Sequence, residues 1–256
     1  MKRHEERIEF RKFAELNDEQ KRIVAKSWGN PFNQRYNYEP GDIYQTVDEL
    51  SKLSEPSFKP ELINSELGDV YYQTMYFRVV FLKGTEEIVG TCRYGKYYGT
   101  DEIDYWDFGF NVLLKYWFKG FGTEIVKKII EIAKNHEIGV KKIRGGADLE
   151  NYGSYKAMVR NGFDFVGCDK DGDYEYILDL SKPQKTEKEI EENWSAHMEM
   201  TKKDLDKKKQ GLFENLEYIN SEIKIMVTRI QSGEDEDLLV QEYFEKLNQI
   251  EEFKFE

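Results

Sequence analysis

Apolar positions recur along this 256-residue chain with three periods, and each predicts a different kind of element. Residues 7–13 alternate, with Ile8, Phe10 and, at the end, Phe13 turned inward, which predicts a first strand. Asn17 followed by Gln20 resembles a capping box and predicts a helix running to about Trp28. The Gly, Pro and Asn content of residues 29–41 predicts a loop. Ile43, Tyr44, Val47, Leu50 and Leu53 then predict a second helix from Asp42. Residues 76–82 and 88–94 flank a Lys-Gly-Thr-Glu-Glu turn and predict a hairpin.

The run at 107–114 is mostly apolar, aromatic or β-branched and predicts a buried strand. A helix is expected after Gly122, because Ile125, Val126, Ile129, Ile130 and Ala133 share one face. Residues 140–146 predict another strand, and 154–160 a short helix stopped by Asn161 and Gly162. A last hairpin pairs 163–167 with 174–180 through Asp171-Gly172. That turn is no calcium loop: its glycine falls too early, and Leu180 occupies the place of the closing glutamate.

After residue 180 the texture changes. Leu205, Leu212, Ile219 and Met226 repeat every seven residues, with Leu216, Ile223 and Ile230 as the companion seam. Ser232-Gly233-Glu234-Asp235 breaks the helix, and Leu239, Tyr243, Leu247 and Ile250, beside Val240 and Phe244, predict one more. The expected organisation is therefore a body over 1–180 and a helical extension over 181–256. The extension is expected as a helical hairpin folded on the body or as a dimerising coil, with the homodimer slightly favoured.

Composition narrows the partners. Net charge is −12, of which residues 181–256 carry −7 and residues 1–180 carry −5. An acidic surface argues against nucleic acid or an anionic membrane and weakly favours a cationic amine. Cys92 and Cys168 give neither metal spacing nor a disulfide framework. His4, His136 and His197 are scattered and read as surface residues, so no metal is expected. With no apolar run of membrane-spanning length and a charged start, a cytoplasmic protein is expected.

The chemistry centres on residues 107–124. A strand, a turn with Gly120 and Gly122, and an immediate helix aim several backbone N–H groups at one place, where an anion can bind. The competing reading is a plain tight turn between a core strand and a core helix. Neither the Walker sequence nor the three-glycine dinucleotide spacing is present.

The run Tyr116-Trp117-Phe118-Lys119-Gly120-Phe121-Gly122-Thr123-Glu124 resembles the acyl-CoA pyrophosphate loop of the GNAT superfamily of N-acetyltransferases, most closely its RimJ/RimL-like branch. Gly109-Phe110 before it, and Asn151-Tyr152-Gly153-Ser154 with Asn161-Gly162-Phe163 after it, are similar to further motifs of that branch. Phe118 stands where the branch commonly has glycine. The resemblance covers residues 7 to 180. It implies the GNAT α/β fold: a mixed, mostly antiparallel sheet with a splayed central pair and helices on both faces, here carrying the helical extension.

It also implies transfer of an acetyl group from acetyl-CoA to a primary amine on a protein N-terminus, an amino acid, a polyamine or an antibiotic. A non-catalytic acyl-CoA-binding module with an interacting tail is the alternative. By this resemblance the donor is held by Trp117, Phe118, Lys119, Gly120, Phe121, Gly122 and Thr123, with Phe110, Asn111 and Val112 along its arm and Asn151 and Ser154 beyond it. The two early helices and the loop between them, with Arg35, Tyr36 and Tyr38, would border the acceptor. Alternation puts Asp107, Gly109 and Asn111 on one strand face, making Asp107 the candidate base and Asp104 its weaker alternate. Many GNAT enzymes protonate the leaving thiolate with a tyrosine seven residues after the Asn. Here that residue is Met158, so the role falls to Ser154, with Tyr152 and Tyr155 as neighbours that could substitute.

Overall fold

The computed structural model describes residues 6–29, 75–168, 173–208 and 212–249. The helix expected from Asp42, the loop residues Arg35, Tyr36 and Tyr38, and the Asp171-Gly172 turn lie outside these. So do Ile250 and the side chains of Leu212 and Leu247.

Seven strands form one sheet in the order β1-β2-β3-β4-β5-β7-β6. They are β1 (Ile8–Arg11), β2 (Met75–Leu82), β3 (Ile88–Lys96), β4 (Tyr105–Val112), β5 (Lys142–Ala147), β6 (Asp164–Cys168) and β7 (Tyr174–Asp179). Helices are α1 (Asp18–Gly29), α2 (Phe121–Lys134), α3 (Tyr152–Arg160), α4 (Glu187–Lys208), α5 (Leu212–Gln231) and α6 (Glu236–Gln249). Neighbouring strands are antiparallel except β4 and β5, which are parallel.

That one parallel pair decides the shape of the sheet. Pairing between β4 and β5 covers only Tyr105 to Asp107 against Lys142 to Arg144. β4 continues to Val112 on β3, and β5 continues to Ala147 on β7, so the two strands part into a wedge. The splayed central pair is therefore present.

One sheet face is dry. Trp106, Ile143, Ile125, Ile129, Met158 and Phe163 are nearly or fully buried in a single cluster that α2 and α3 close. The run of α2 from Phe121 explains its place: six apolar residues of one face are buried while Lys127 and Glu131 point outward. α1 covers part of the other face, where Val24 packs with Phe13, Leu16, Val79, Phe81 and Ile88.

Two of the boundary shifts from the sequence pattern have a clear cause. β4 ends at Val112, and Leu114–Tyr116 form a 3-10 turn, because Leu114 leaves the sheet to enter a cluster made by the C-terminal helices. α3 begins at Tyr152, two residues early, because Asn151 supplies its N-cap.

Most of the described seam residues pack within the chain, as in the first of the two expected arrangements. Leu205 joins the main core, while Ile223, Met226 and Ile230 pack with Leu114, Leu239 and Tyr243. Each such side chain stabilises by about 1.5–3 kcal/mol when covered, which is why the helices lie on the body.

His197 corrects the surface reading of the histidines. It is buried on α4 among the rings of Tyr155, Phe165, Tyr174, Tyr176 and Trp194, with Nε2 2.9 Å from the Tyr176 hydroxyl. Burial in that apolar setting disfavours the imidazolium and pushes its pKa down to about 4. Among the described residues no helix is long and apolar enough to cross a membrane.

Candidate active site

The segment leading from β4 into α2 turns twice through left-handed backbone. Phe118 has φ +60°, and Gly120 at φ +82° is the N-cap of α2 with no side chain closing the helix end. The first peptide N–H groups of any helix lack an acceptor within it. Here those of residues 118–123 find no partner among the described residues, while that of Trp117 is donated to the Leu114 carbonyl. These six amides lie in one short segment that includes the positive end of the α2 dipole, where an anion can bind. A Cβ on Gly122 would come within 3.0 Å of the Phe110 ring, so the bare backbone is what keeps this end of the wedge open.

Arg7 fixes the turn from outside. Its Nη2 donates to the Lys119 carbonyl at 2.9 Å, its Nε donates to Glu124 Oε1 at 2.6 Å, and its guanidinium lies over the Phe121 ring. Trp117 is anchored as well, its indole N–H reaching the Val112 carbonyl at 2.6 Å. The Phe118 side chain is left exposed.

Across the wedge, α3 starts differently. The Asn151 side-chain oxygen accepts the Ser154 N–H at 3.2 Å, which closes that helix and leaves the Asn151 amide NH2 and the Ser154 hydroxyl at its mouth. Asn161 ties the two helices together, its NH2 donating to the carbonyls of Thr123 and Ala157. Met158 is fully buried in the core with no proton to give. Tyr155 is buried toward Trp194 and His197, and Tyr152 packs on the same tryptophan.

Asp107 sits where the β4–β5 pairing ends, opposite Gly95 on β3 and Arg144 on β5. It is buried, and burial raises its pKa above the ordinary aspartate value; Arg93, Arg144 and the Phe108 N–H pull the other way. The Phe108 N–H donates to Oδ1 at 2.8 Å, and Arg144 Nη1 lies 3.9 Å from Oδ2. Asp104 is tied up instead: Lys141 hydrogen-bonds it at 2.7 Å and holds its pKa down. Asn111 and Val112 pair with Thr91 and Gly90 of β3, so one strand edge is engaged along the wedge.

The sequence pattern missed the charges around Asp107. Arg93 crosses Gly109 from the neighbouring strand, and its positive charge favours the ionised form of Asp107. Arg144 stacks on Tyr97 at 4.8 Å and donates through Nε to Glu175. The available signal was a charged residue inside an apolar central strand, at the parity of Asp107.

Comparison with known proteins assigns this arrangement. Residues 7–164 match the family model of the acetyltransferase (GNAT) domain, more than half of the chain, and the chain belongs to that family of N-acetyltransferases. The uncharacterized N-acetyltransferase p20 of Bacillus licheniformis is 28% identical over 171 residues, spanning 65% of this chain and 84% of that one. Among solved structures, spermidine N-acetyltransferase from Vibrio cholerae in complex with CoA and spermine aligns with a TM-score of 0.51 at 16% identity, covering 69% of this chain and 97% of that one. Aminoglycoside acetyltransferase AAC(6')-Ib in complex with ribostamycin and coenzyme A aligns at 0.50 and 15%, covering 68% and 94%. At these identities the two structures speak for the fold.

Proposed function

We propose that this protein transfers the acetyl group of acetyl-CoA to a primary amine, as a RimJ/RimL-like member of the family, with the catalytic unit in residues 1–180. The observation that carries the reading is the set of uncommitted N–H groups at 118–123, which opens beside the β4–β5 wedge. These amides bind the donor pyrophosphate, and the donor arm lies along Phe110 to Val112 with Asn151 opposite. Acetyl-CoA supplies an activated acyl group; the chain supplies orientation and proton handling.

Asp107 takes the proton from the acceptor ammonium, directly or through one water, and a raised pKa makes it a better base than a solvated aspartate. The Ser154 hydroxyl hydrogen-bonds the departing sulfur. The acceptor is an amine of the kind named for the two solved relatives, a polyamine or an antibiotic, or else an amino acid or protein N-terminus. Release of free thiol against a panel of these amines tests the reaction, and a chain that releases none from any of them is not such an enzyme.

Asp107→Asn should lower kcat/KM by about 100-fold at neutral pH, with partial recovery at high pH where more amine is already free. A carboxylate whose folded pKa is raised favours folding below its unfolded pKa and loses that contribution as pH rises through the folded value. The same variant should therefore melt above the wild type at pH 7, with the difference closing toward pH 4. Rate–pH profiles and thermal melts across that range check both arms.

A further inference from the structure

The segment that bears the uncommitted amides is held from behind by the C-terminal helices. Leu114 is fully buried against Ile223, Met226 and Ile230 of α5 and Leu239 and Tyr243 of α6. Trp117 packs on the same cluster, and its carbonyl accepts from Gln231 Nε2 at 3.3 Å. Leu114 opens the 3-10 turn and Trp117 closes it, and the residue that follows, Phe118, is the one non-glycine with positive φ among the described residues. Backbone in that region persists only where its surroundings over-determine it. The helical layer, with the Trp117 indole bond to Val112, is what does so here.

We propose that α5 and α6 are positioning elements of the donor site, so that affinity for CoA depends on side chains that never touch it. The proposal rests on the donor reading above. Holding Leu114 and Trp117 pre-organises the amides of 118–123, and an amide set already in place binds without a further ordering cost. Coupling of this kind is reciprocal: if the helices favour the binding-competent loop, bound donor must stabilise the helices by the same factor. α6 also meets the opposite flank of the body, where Asp237 pairs with Lys26 of α1 at 2.8 Å.

Hydrogen exchange of the full chain with and without saturating CoA tests this directly. Amides of 114–123, of 219–231 and of 239–243 should all slow, while those of 187–199 in α4 stay unchanged. Slowing confined to 114–123 and the first turn of α2 would overturn the proposal, as would uniform slowing that includes α4, which reports global stability. A chain in which CoA alters no amide would overturn the donor reading and this inference with it. In parallel, Met226→Ala should weaken CoA binding by roughly 5- to 10-fold in calorimetry with the acceptor KM unchanged, and Met226→Leu should restore it. Gln231→Ala, at an exposed position, should give a weakening of about 2- to 3-fold without altering the fold. Wild-type CoA affinity in both alanine variants would overturn the proposal.

Discussion

Helix α2 begins unlike the other helices whose starts are described. α1 has a reciprocal box between Asn17 and Gln20, α4 one between Thr186 and Glu189, α6 an Asp235 side chain on the Leu238 N–H, and α3 the Asn151 cap. α2 has a left-handed glycine and, among the described residues, no partner on its first amides. A self-capped helix spends its orphan donors on stability, worth about 1 kcal/mol per cap. An uncapped one at a cleft forgoes that gain and keeps the donors for an anion. The contrast between α2 and α3, which face each other across the wedge, separates the proposed binding role from a structural one.

The strongest way to break the contrast is to fill the open end. Gly120→Val combined with Gly122→Leu puts a β-branched residue at φ +82° and drives a side chain into the Phe110 ring, already 3.0 Å from a modest Cβ. CoA affinity should fall by more than about 100-fold, since both the amide directions and the space are lost. Calorimetry that finds unchanged binding in the double variant would mean the pyrophosphate lies elsewhere.

On the α3 side the chemical step is at stake. Ser154→Ala leaves the backbone N–H on Asn151 and removes only the hydroxyl. We expect kcat to fall by about 10- to 100-fold with CoA affinity nearly unchanged. Full activity would pass the role to a water or to Tyr152, because Tyr155 is committed to the core.

Much of this was legible in the sequence because it rests on local rules. The Lys119–Gly122 turn, the strand before it and the apolar face after it are set by nearest neighbours, so the turn could be placed to within a residue. Strand parity put Asp107, Gly109 and Asn111 together, and the register agrees. What stayed hidden depended on contacts distant in the chain. Arg93 and Arg144 reach Asp107 from strands on either side, and no spacing along the chain pairs them. His197 looked like one more polar residue on a charged helix, yet its cage comes from α3, β6 and β7 as well as α4. Leu114 read as the end of a strand because its real partners lie more than a hundred residues later.

On the proposed reading Asn151 holds both roles at once, and two substitutions divide them. Its oxygen is engaged with Ser154, which leaves only the NH2 for the donor arm. Asn151→Ala should cost about 1 kcal/mol of stability through the lost cap and weaken CoA by roughly 3- to 10-fold. Asn151→Asp keeps an acceptor oxygen and suits the helix dipole, so its melting temperature should stay near the wild type while CoA affinity still falls. If Asn151→Asp binds CoA as the wild type does, the residue is a cap and nothing more.

The smallest effect concerns Phe118, the one non-glycine among the described residues with left-handed backbone. A bulky residue at φ +60° costs about 1–2 kcal/mol, and a glycine there removes that strain while adding about 0.5–1 kcal/mol of unfolded-state entropy. The net expectation for Phe118→Gly is therefore a gain of roughly 0.5–1 kcal/mol. Its ring is 58% exposed, so little packing is lost in exchange. CoA affinity should change by less than about 3-fold, because the amides of 118–123 keep their directions and the ring contributes no hydrogen bond. Thermal melts and calorimetry on the single variant measure both quantities. A marked loss of affinity beside the gain in stability would show that the chain tolerates the strain in order to lay an aromatic surface against the donor, and α2 would then bind through a side chain as well as through its open amides.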